Sequence, residues 1–201
     1  MHGRLPWPRP EELDAPRRAL YDAIVDGPRA SGPVPIADAE GRLEGPFNAM
    51  LVSPDVGLAL QHLGAAVRYR TSLSDRAREL AILALAAVRR SDFEWYAHER
   101  VGRSVGLSDP ELALLGDGGC PATFSEQERA VLDVTRSLAV AGDLDDEAFA
   151  AAQSALGREA LAELVVLVGY YDLLALSLRV WRTPLPAGET PPFPPAGTQP
   201  P

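Results

Sequence analysis

The chain has 201 residues, a length that fits one domain of ordinary size or two small ones. Its 28 acidic and 19 basic residues give a formal charge of −9, which argues against nucleic acid as a partner, because such binding depends on neutralising phosphates. A single cysteine, Cys120, excludes a disulfide framework, a zinc site of three or four thiolates and a dithiol redox centre within one chain.

The apolar runs of the sequence are short. The longest, residues 80–88 and 164–169, are about half of the ~20 residues that a helix needs to span a bilayer. The first residues, Met-His-Gly-Arg-Leu-Pro-Trp-Pro, lack the apolar stretch of a signal peptide. We therefore expect a soluble, cytoplasmic protein with no membrane partner.

The first third of the chain predicts a helix, a long loop and a second helix. Apolar residues recur at helical spacing over residues 11–26. Residues 27–46 are rich in glycine and proline and longer than an idle loop usually is, so we interpret them as a lid or a binding loop. Ser53 and Pro54 form a helix start signal, and the helix they begin is expected to reach about Tyr69.

The middle of the chain contains several helix starts. Ser74 is the predicted N-cap of a helix whose residues 80–88 are apolar nearly all round, which indicates a central, buried helix. Three later segments begin with serine followed three residues later by glutamate, the spacing of a capping box. These pairs are Ser91 and Glu94, Ser108 and Glu111, and Ser125 and Glu128.

The last third predicts two helices and a tail. A helix after Asp145 is expected to turn Phe149 and Leu156 inward, and a long apolar helix follows over about residues 158–181. Residues 184–201 hold eight prolines and are expected to be extended or disordered, either in solvent or across a neighbouring subunit. Because no segment alternates with a period of two, we predict an all-α fold.

Few side chains suit acid–base chemistry. His2 lies at the terminus and is expected to be disordered, while His62 is expected to pack or face solvent in mid-helix. His98 differs because Glu94 lies four residues earlier, on the same helix face, and because two aromatic side chains crowd that turn. An imidazole beside a carboxylate has what general acid–base catalysis requires.

Glu79 is the other unusual residue, because it comes directly before the uncharged stretch of the central helix. A carboxylate that is partly buried there must be paired or have a raised pKa. The alternative to a functional role is a salt bridge to Arg76, to Arg78 or to an arginine elsewhere.

Several stretches then occur together in one order. They are Gly45–Leu51 with Ser53 and Pro54, Leu73–Leu83, Phe93–His98, Gly106–Ser108 and Gly169–Leu174. Over roughly residues 45–185 the chain resembles the carboxymuconolactone decarboxylase family, which includes the alkyl hydroperoxidase D-like proteins. The resemblance implies an alkyl hydroperoxidase D-like helical bundle assembled as a homo-oligomer, a trimer or hexamer. It divides the chain into an N-terminal helix and loop (1–44), the family domain (45–185) and a proline-rich tail (186–201).

Peroxidase-type members of that family carry a glutamate, a cysteine twelve positions later, a second cysteine three further on and a histidine four after that. Counting from Glu79 gives Ser91, Glu94 and His98, so the glutamate and histidine are in register and both cysteines are replaced. Cys120 lies outside the motif. Because a thiolate is the nucleophile in that chemistry, the resemblance does not carry the peroxidase mechanism to this chain.

The decarboxylase branch of the family implies a reaction without metal or organic cofactor. Loss of CO₂ from a carboxylated lactone leaves a dienolate that must be stabilised and protonated. The resemblance implies His98 as proton donor or oxyanion partner and Glu79 as the residue that sets its tautomer or relays the proton, with Glu94 as a further catalytic candidate. The substrate-binding candidates are Phe47, Asn48, Ser91, Trp95, Tyr170 and Tyr171.

Two alternatives stay open for Glu94. As the third residue of a capping box it would reach back to the amide of Ser91, and Glu94→Gln would then preserve most activity. As a catalytic group it would face the substrate. For the whole chain we expect a lyase or related acid–base enzyme acting on a small carboxylated, lactone-like or enolisable molecule. The alternatives are an alkyl hydroperoxidase or peroxiredoxin-like antioxidant activity and a non-catalytic, ligand-binding oligomeric scaffold.

Overall fold

The computed structural model describes residues 1–193, which form nine α-helices and no β-strand. The helices are α1 Ala15–Val25, α2 Pro46–Met50, α3 Pro54–Tyr69, α4 Asp75–Arg89, α5 Asp92–Ser104, α6 Asp109–Gly116, α7 Glu126–Ala141, α8 Asp146–Leu156 and α9 Arg158–Trp181. Two short 3-10 helices, Pro10–Glu12 and Pro28–Ser31, lie in the N-terminal part. The predicted all-α class is confirmed.

Helix α4 lies at the centre of the molecule. Residues Ala77–Ala86 are all buried, and the helix packs against α5, α6, α7 and α9. Ser74 caps it as predicted, since its side chain accepts a hydrogen bond from the amide of Ala77. A helix with so little polar surface is stable only when other helices cover it on every side, and this burial places Glu79 inside the fold.

Two of the three predicted capping boxes are confirmed, at Ser108 with Glu111 and at Ser125 with Glu128. The third prediction is wrong, because Ser91 makes no side-chain cap to helix α5. The amide of Ser91 already donates to the carbonyl of Ala86 at 2.9 Å, so Glu94 has no orphan donor to cap.

The N-terminal segment packs against the rest of the fold. His2, expected to be disordered, is 3% exposed, and its Nε2 lies 3.6 Å from a carboxylate oxygen of Glu44. The amide of Arg4 donates to the carbonyl of Trp181 at the end of α9, at 2.8 Å. Helix α1 begins later than predicted, at Ala15, because the residues before it form a separate 3-10 turn.

Two other predictions need correction. Phe149 does not face inward but is 47% exposed, because α8 packs mainly against α7 and α9 and Phe149 lies on its outer side; Leu156 is partly buried there. The part of the predicted tail that the structure describes, residues 184–193, is also not free in solvent. The ring of Phe193 packs edge-on against Trp95, with 5.4 Å between centroids. The rest of that tail, residues 194–201, lies outside the described residues.

Within residues 1–193, helix α9 is long and apolar enough to cross a membrane by length and composition. Half of its most apolar window is buried inside the fold. A central helix of a globular fold passes the same test, so this length alone is weak evidence for a membrane span.

Candidate active site

A cavity of about 110 Å³ lies between helices α3, α5 and α9 and the chain segment that precedes α3. One wall is formed by residues 32–36, which belong to the loop predicted as a lid or binding loop. The polar groups of the lining are two arginines, two glutamates, a histidine and three tyrosines, set among apolar side chains. A few convergent polar groups in an apolar cavity are typical of a small-molecule site.

The centre of the site is a pair of buried side chains, Glu79 on α4 and His98 on α5. Glu79 is 1% exposed, and its Oε2 lies 2.6 Å from Nδ1 of His98. Burial acts to raise the pKa of Glu79, but His98 and Arg68 hold that pKa below its usual value. Burial lowers the pKa of His98, although Glu79 acts in the opposite direction. At neutral pH the imidazole is therefore neutral, donates from Nδ1 to Glu79 and keeps a lone pair on Nε2.

The predicted salt-bridge alternatives for Glu79 within α4 do not form. Arg78 pairs with Asp75, and Arg76 reaches the glutamates of two capping boxes. The arginine that approaches Glu79 is Arg68 of α3, whose Nη2 lies 3.4 Å from Glu79 Oε1.

Arg68 joins this pair to a tyrosine. Its Nη1 donates to the hydroxyl of Tyr171 at 3.0 Å and lies 3.4 Å from His98 Nδ1. The ring of Tyr171 packs edge-on against the imidazole, with 5.0 Å between centroids. The position of the imidazole is thus fixed by hydrogen bonding on one side and by ring packing on another.

Glu94 lies one helical turn before His98 and lines the same cavity. Among residues 1–193, neither of its carboxyl oxygens has a hydrogen-bond partner. Burial raises the pKa of Glu94 to about 8, and the nearby Ser91 hydroxyl offsets only part of this effect. Glu94 is therefore mainly protonated at pH 7 and carries a proton that it can donate.

The structure brings five of the predicted site residues to the cavity wall, with Glu79 directly behind His98. These five are Phe47, Glu94, His98, Tyr170 and Tyr171. It does not place three other candidates there. The side chain of Asn48 donates to the carbonyl of Pro6, and Ser91 lies at the start of α5. Trp95 packs against Phe193 instead, because a residue next to Glu94 is rotated about 100° around the helix.

Two arginines of the lining, Arg29 and Arg68, are absent from the sequence-based candidates. Arg68 lies seven residues after Gln61 on α3, so both lie on one face of that helix. Arg29 comes from the 3-10 helix Pro28–Ser31. A single arginine in a loop or on a helix has no pattern that marks it as part of a site.

Comparisons with known proteins agree with this architecture. Residues 54–137 match the model of the carboxymuconolactone decarboxylase family. A protein of unknown function from Agrobacterium tumefaciens, with a suggested AhpD role in antioxidant defence, has a similar structure; its TM-score is 0.64 at 21% identity, over 71% of this chain and 99% of that one. An uncharacterised peroxidase-related protein with an alkylhydroperoxidase AhpD core, from Ralstonia eutropha JMP134, has a TM-score of 0.71 at 16% identity, over 90% of both chains. No curated protein matches the chain.

Proposed function

We propose that this protein is a cofactor-independent acid–base enzyme. Residues 54–137 match the model of the carboxymuconolactone decarboxylase family, and the chain lacks the redox cysteine pair. It would decarboxylate a small carboxylated, lactone-like substrate, or move a proton on a related enolisable one. The observation that carries this proposal is the presence of a neutral histidine and a protonated glutamate in the wall of one small cavity.

His98 is the base when the substrate is enolisable. With Nδ1 donating to Glu79, its Nε2 can accept a proton but cannot donate one. Glu79 holds this tautomer and stabilises the imidazolium that forms when the base is protonated. The role of proton donor, which the resemblance implied for His98, therefore passes to another group.

Glu94 is the acid. In a decarboxylation, the bond between the substrate carbon and its carboxylate breaks, CO₂ leaves, and the electron pair passes into a dienolate. Glu94 then gives its proton to the carbon and takes another from solvent. Arg68 and Tyr171 are the donors nearest to His98 and would stabilise the negative oxygen of the dienolate.

An enolisable substrate would use His98 and Glu94 in sequence. Nε2 of His98 would take the proton next to a carbonyl, and Glu94 would return a proton to the enolate. His98 would then release its proton to solvent, and Glu94 would take one from solvent. Such transfers require a base that is unprotonated and an acid that is protonated at the same pH, and the surroundings of the two groups set these states.

A thiol peroxidase activity has less support. Cys120 is exposed in the loop between α6 and α7 and does not line the cavity. The positions at which the peroxidase pattern has cysteines are Ser91 and Glu94, neither of which can form a disulfide.

The test is proton exchange and CO₂ release measured by NMR in D₂O. The substrates are a panel of small carboxylated lactones and 2-oxo acids. We expect the protein to exchange or decarboxylate at least one of them. His98→Gln should lose about 10²–10⁴-fold of an exchange rate, and Glu94→Gln should lose a similar factor of a decarboxylation rate. Arg158→Gln, at an exposed arginine that begins α9 and does not line the cavity, is the matched control and should keep both rates.

Failure of the whole panel would overturn the proposal in favour of a ligand-binding scaffold. An unchanged exchange rate in His98→Gln, or an unchanged decarboxylation rate in Glu94→Gln, would overturn the proposed mechanism. Consumption of hydroperoxide that Cys120→Ala abolishes would overturn the proposal in favour of a peroxidase.

A further inference from the structure

Among the residues that the structure describes, Arg29 is a buried cation without a carboxylate partner. It is 8% exposed and lines the cavity, and its Nη1 donates to the side-chain oxygen of Gln61. Gln61 is itself held in place, because its Nε2 donates to the carbonyl of Ala23 at 3.3 Å. Within residues 1–193 no carboxylate forms an ion pair with Arg29, so its charge is balanced only by a neutral amide and by the ring of Phe47, whose centroid lies 5.6 Å away.

A buried guanidinium that lacks an anionic partner lowers the stability of the folded protein, and binding of an anion offsets this cost. A buried charge is normally paired, and a guanidinium offers five N–H donors, of which one is used here by Gln61. The other buried arginines near the site, Arg68 and Arg78, each lie beside a carboxylate. Arg29 is thus different from its neighbours in having donors that remain available.

The cavity that Arg29 faces has a shortage of negative charge. Glu94 is mainly protonated at neutral pH, and Glu79 behind the wall is already paired with His98 and Arg68. Glu44, the other glutamate of the lining, lies 3.6 Å from His2, and burial raises its pKa. Burial raises the pKa of the Tyr170 hydroxyl, and Arg29 and Arg68 both act against this rise, so both positive charges lie near the same part of the lining. A small anion would therefore find two cations and little repulsion.

A glycine on helix α3, Gly64, leaves space for the guanidinium of Arg29. Gly64 lies in the middle of helix α3, where glycine costs about 1 kcal/mol relative to alanine. A methyl group at this position would overlap with the Tyr170 hydroxyl and with Nη2 of Arg29. The missing side chain lets both polar groups lie against the helix backbone, so the position of Arg29 is built into the fold.

We propose that Arg29 binds the carboxylate of a small organic acid, which enters the cavity with its carbon skeleton against the apolar wall. A planar carboxylate fits the fork of a guanidinium through two parallel hydrogen bonds. Phe47, Pro33 and Leu174 of the lining suit the apolar part of such a molecule better than a fully hydrated inorganic anion. This inference rests on the proposed function for the reaction that follows, and it names the substrate class and the residue that selects it.

Calorimetric titration at pH 7 tests the proposal with three probes. Crotonate is a small unsaturated carboxylate, crotonamide is its neutral counterpart of nearly the same shape, and inorganic phosphate is an anion without a carbon skeleton. We expect crotonate to bind at least about tenfold more tightly than either of the other two, a difference of about 1.4 kcal/mol.

Arg29→Gln should remove this preference and weaken crotonate about tenfold or more, whereas Arg29→Lys should keep part of it. Gly64→Ala should weaken crotonate in the same way without changing any charge, because it displaces the guanidinium. Arg158→Gln is the control and should bind as the unchanged protein does. Circular dichroism and thermal unfolding establish that each variant is folded.

Equal binding of crotonate and crotonamide, no binding of crotonate, or unchanged crotonate binding in Arg29→Gln would overturn the proposal. Equally tight phosphate would overturn the carboxylate assignment in favour of a general anion site. Binding at equilibrium needs no turnover, so this result is independent of the exchange assay: His98→Gln should still bind crotonate even though it cannot react.

Discussion

At position 94 the chain has a carboxyl group that is buried but has no capping partner. In the capping-box interpretation, glutamine would serve as well as glutamate, and Glu94→Gln would keep most activity. The structure removes that interpretation, because the Ser91 amide is bonded to Ala86 and Glu94 lines the cavity.

We therefore predict that Glu94→Gln lowers kcat by about 10²–10⁴-fold, the effect expected when a general acid is lost. Glutamine has nearly the same shape, so binding of substrate should change little. Steady-state kinetics on the substrate identified by the exchange assay measure both quantities. An intact kcat would show that the proton comes from elsewhere.

The raised pKa of Glu94 also predicts a pH-dependent stability. Between its usual pKa of 4.5 and its folded value of about 8, the folded state holds one proton more than the unfolded state. The free energy of unfolding therefore falls as pH rises through this range, by about 1.4 kcal/mol for each pH unit over which the difference is complete.

Glu94→Gln should abolish this loss, so that the variant gains stability relative to the unchanged protein between pH 5 and pH 8. Urea unfolding at several pH values measures it, with Glu11→Gln, at an exposed glutamate, as the control. A stability difference that stays constant with pH would contradict the raised pKa.

The site residues show how far sequence could lead. Glu79 and His98 were recognisable because their spacing matches a family pattern, and the pairing follows once α4 is central. Arg29 and Arg68 were not recognisable, because each becomes part of the site only through contacts between distant segments. Trp95 was wrongly predicted to line the site, because it follows Glu94 directly in the sequence. Neighbouring residues of a helix point to different faces, so Trp95 cannot share the direction of Glu94.

At the scale of elements, Arg76 connects three helices. From α4 its guanidinium contacts Glu111 and Glu128 at 2.8 Å and 2.5 Å, and these are the capping glutamates of α6 and α7. Both helix starts therefore depend on one side chain of the central helix, as well as on their own serines.

We predict that Arg76→Gln lowers the free energy of unfolding by about 1–3 kcal/mol at pH 7, because two carboxylates lose a charged partner. Arg103→Gln, which breaks two ion pairs of a more exposed arginine, should cost less than about 1 kcal/mol. Urea unfolding compares the two variants. Equal losses would mean that Arg76 is no more than a surface charge.

The stabilisation that Arg76 provides should also depend on pH. Burial acts to raise the pKa of Glu111, but hydrogen bonds from Ser108, Thr123 and Arg76 lower it to about 2. A lowered pKa adds stability that is present above the usual value and is lost as pH falls through about 2. The difference between Arg76→Gln and the unchanged protein should therefore shrink at that pH.

The helix bounds were largely predictable where caps and periodicity agree, as in α4, α7 and α9. The N-terminal segment was not, because its order comes from contacts with the end of α9 that no local pattern shows. Phe149 was placed inward because an apolar side chain usually is, but α8 packs mainly against α7 and α9 and leaves this side chain 47% exposed.

At the scale of the whole molecule, helix α9 presents an exposed apolar face. Five of its large side chains are 43–63% exposed and repeat at helical spacing: Val165, Val166, Leu173, Leu176 and Val180. Contiguous apolar surface of this kind commonly marks an interface between proteins.

We predict that the protein is a homo-oligomer, a trimer or hexamer, in which a second copy covers this face. Light scattering coupled to size-exclusion chromatography should show more than one copy, and Leu176→Glu should shift the mass toward the single chain without loss of helicity. Phe149→Glu, at an exposed apolar residue of α8, is the control. A single chain at every concentration would refute this assembly.

The wall formed by residues 32–36 has a thermodynamic consequence. Two of its residues, Pro33 and Pro35, have φ angles fixed by their rings, so the free protein samples few other backbone conformations there. Ordering one flexible residue costs about 1–2 kcal/mol, and a ligand that meets an already ordered wall avoids most of this entropy loss. The prolines thus favour tight binding of a very small molecule, which has few atoms of its own with which to offset such a loss.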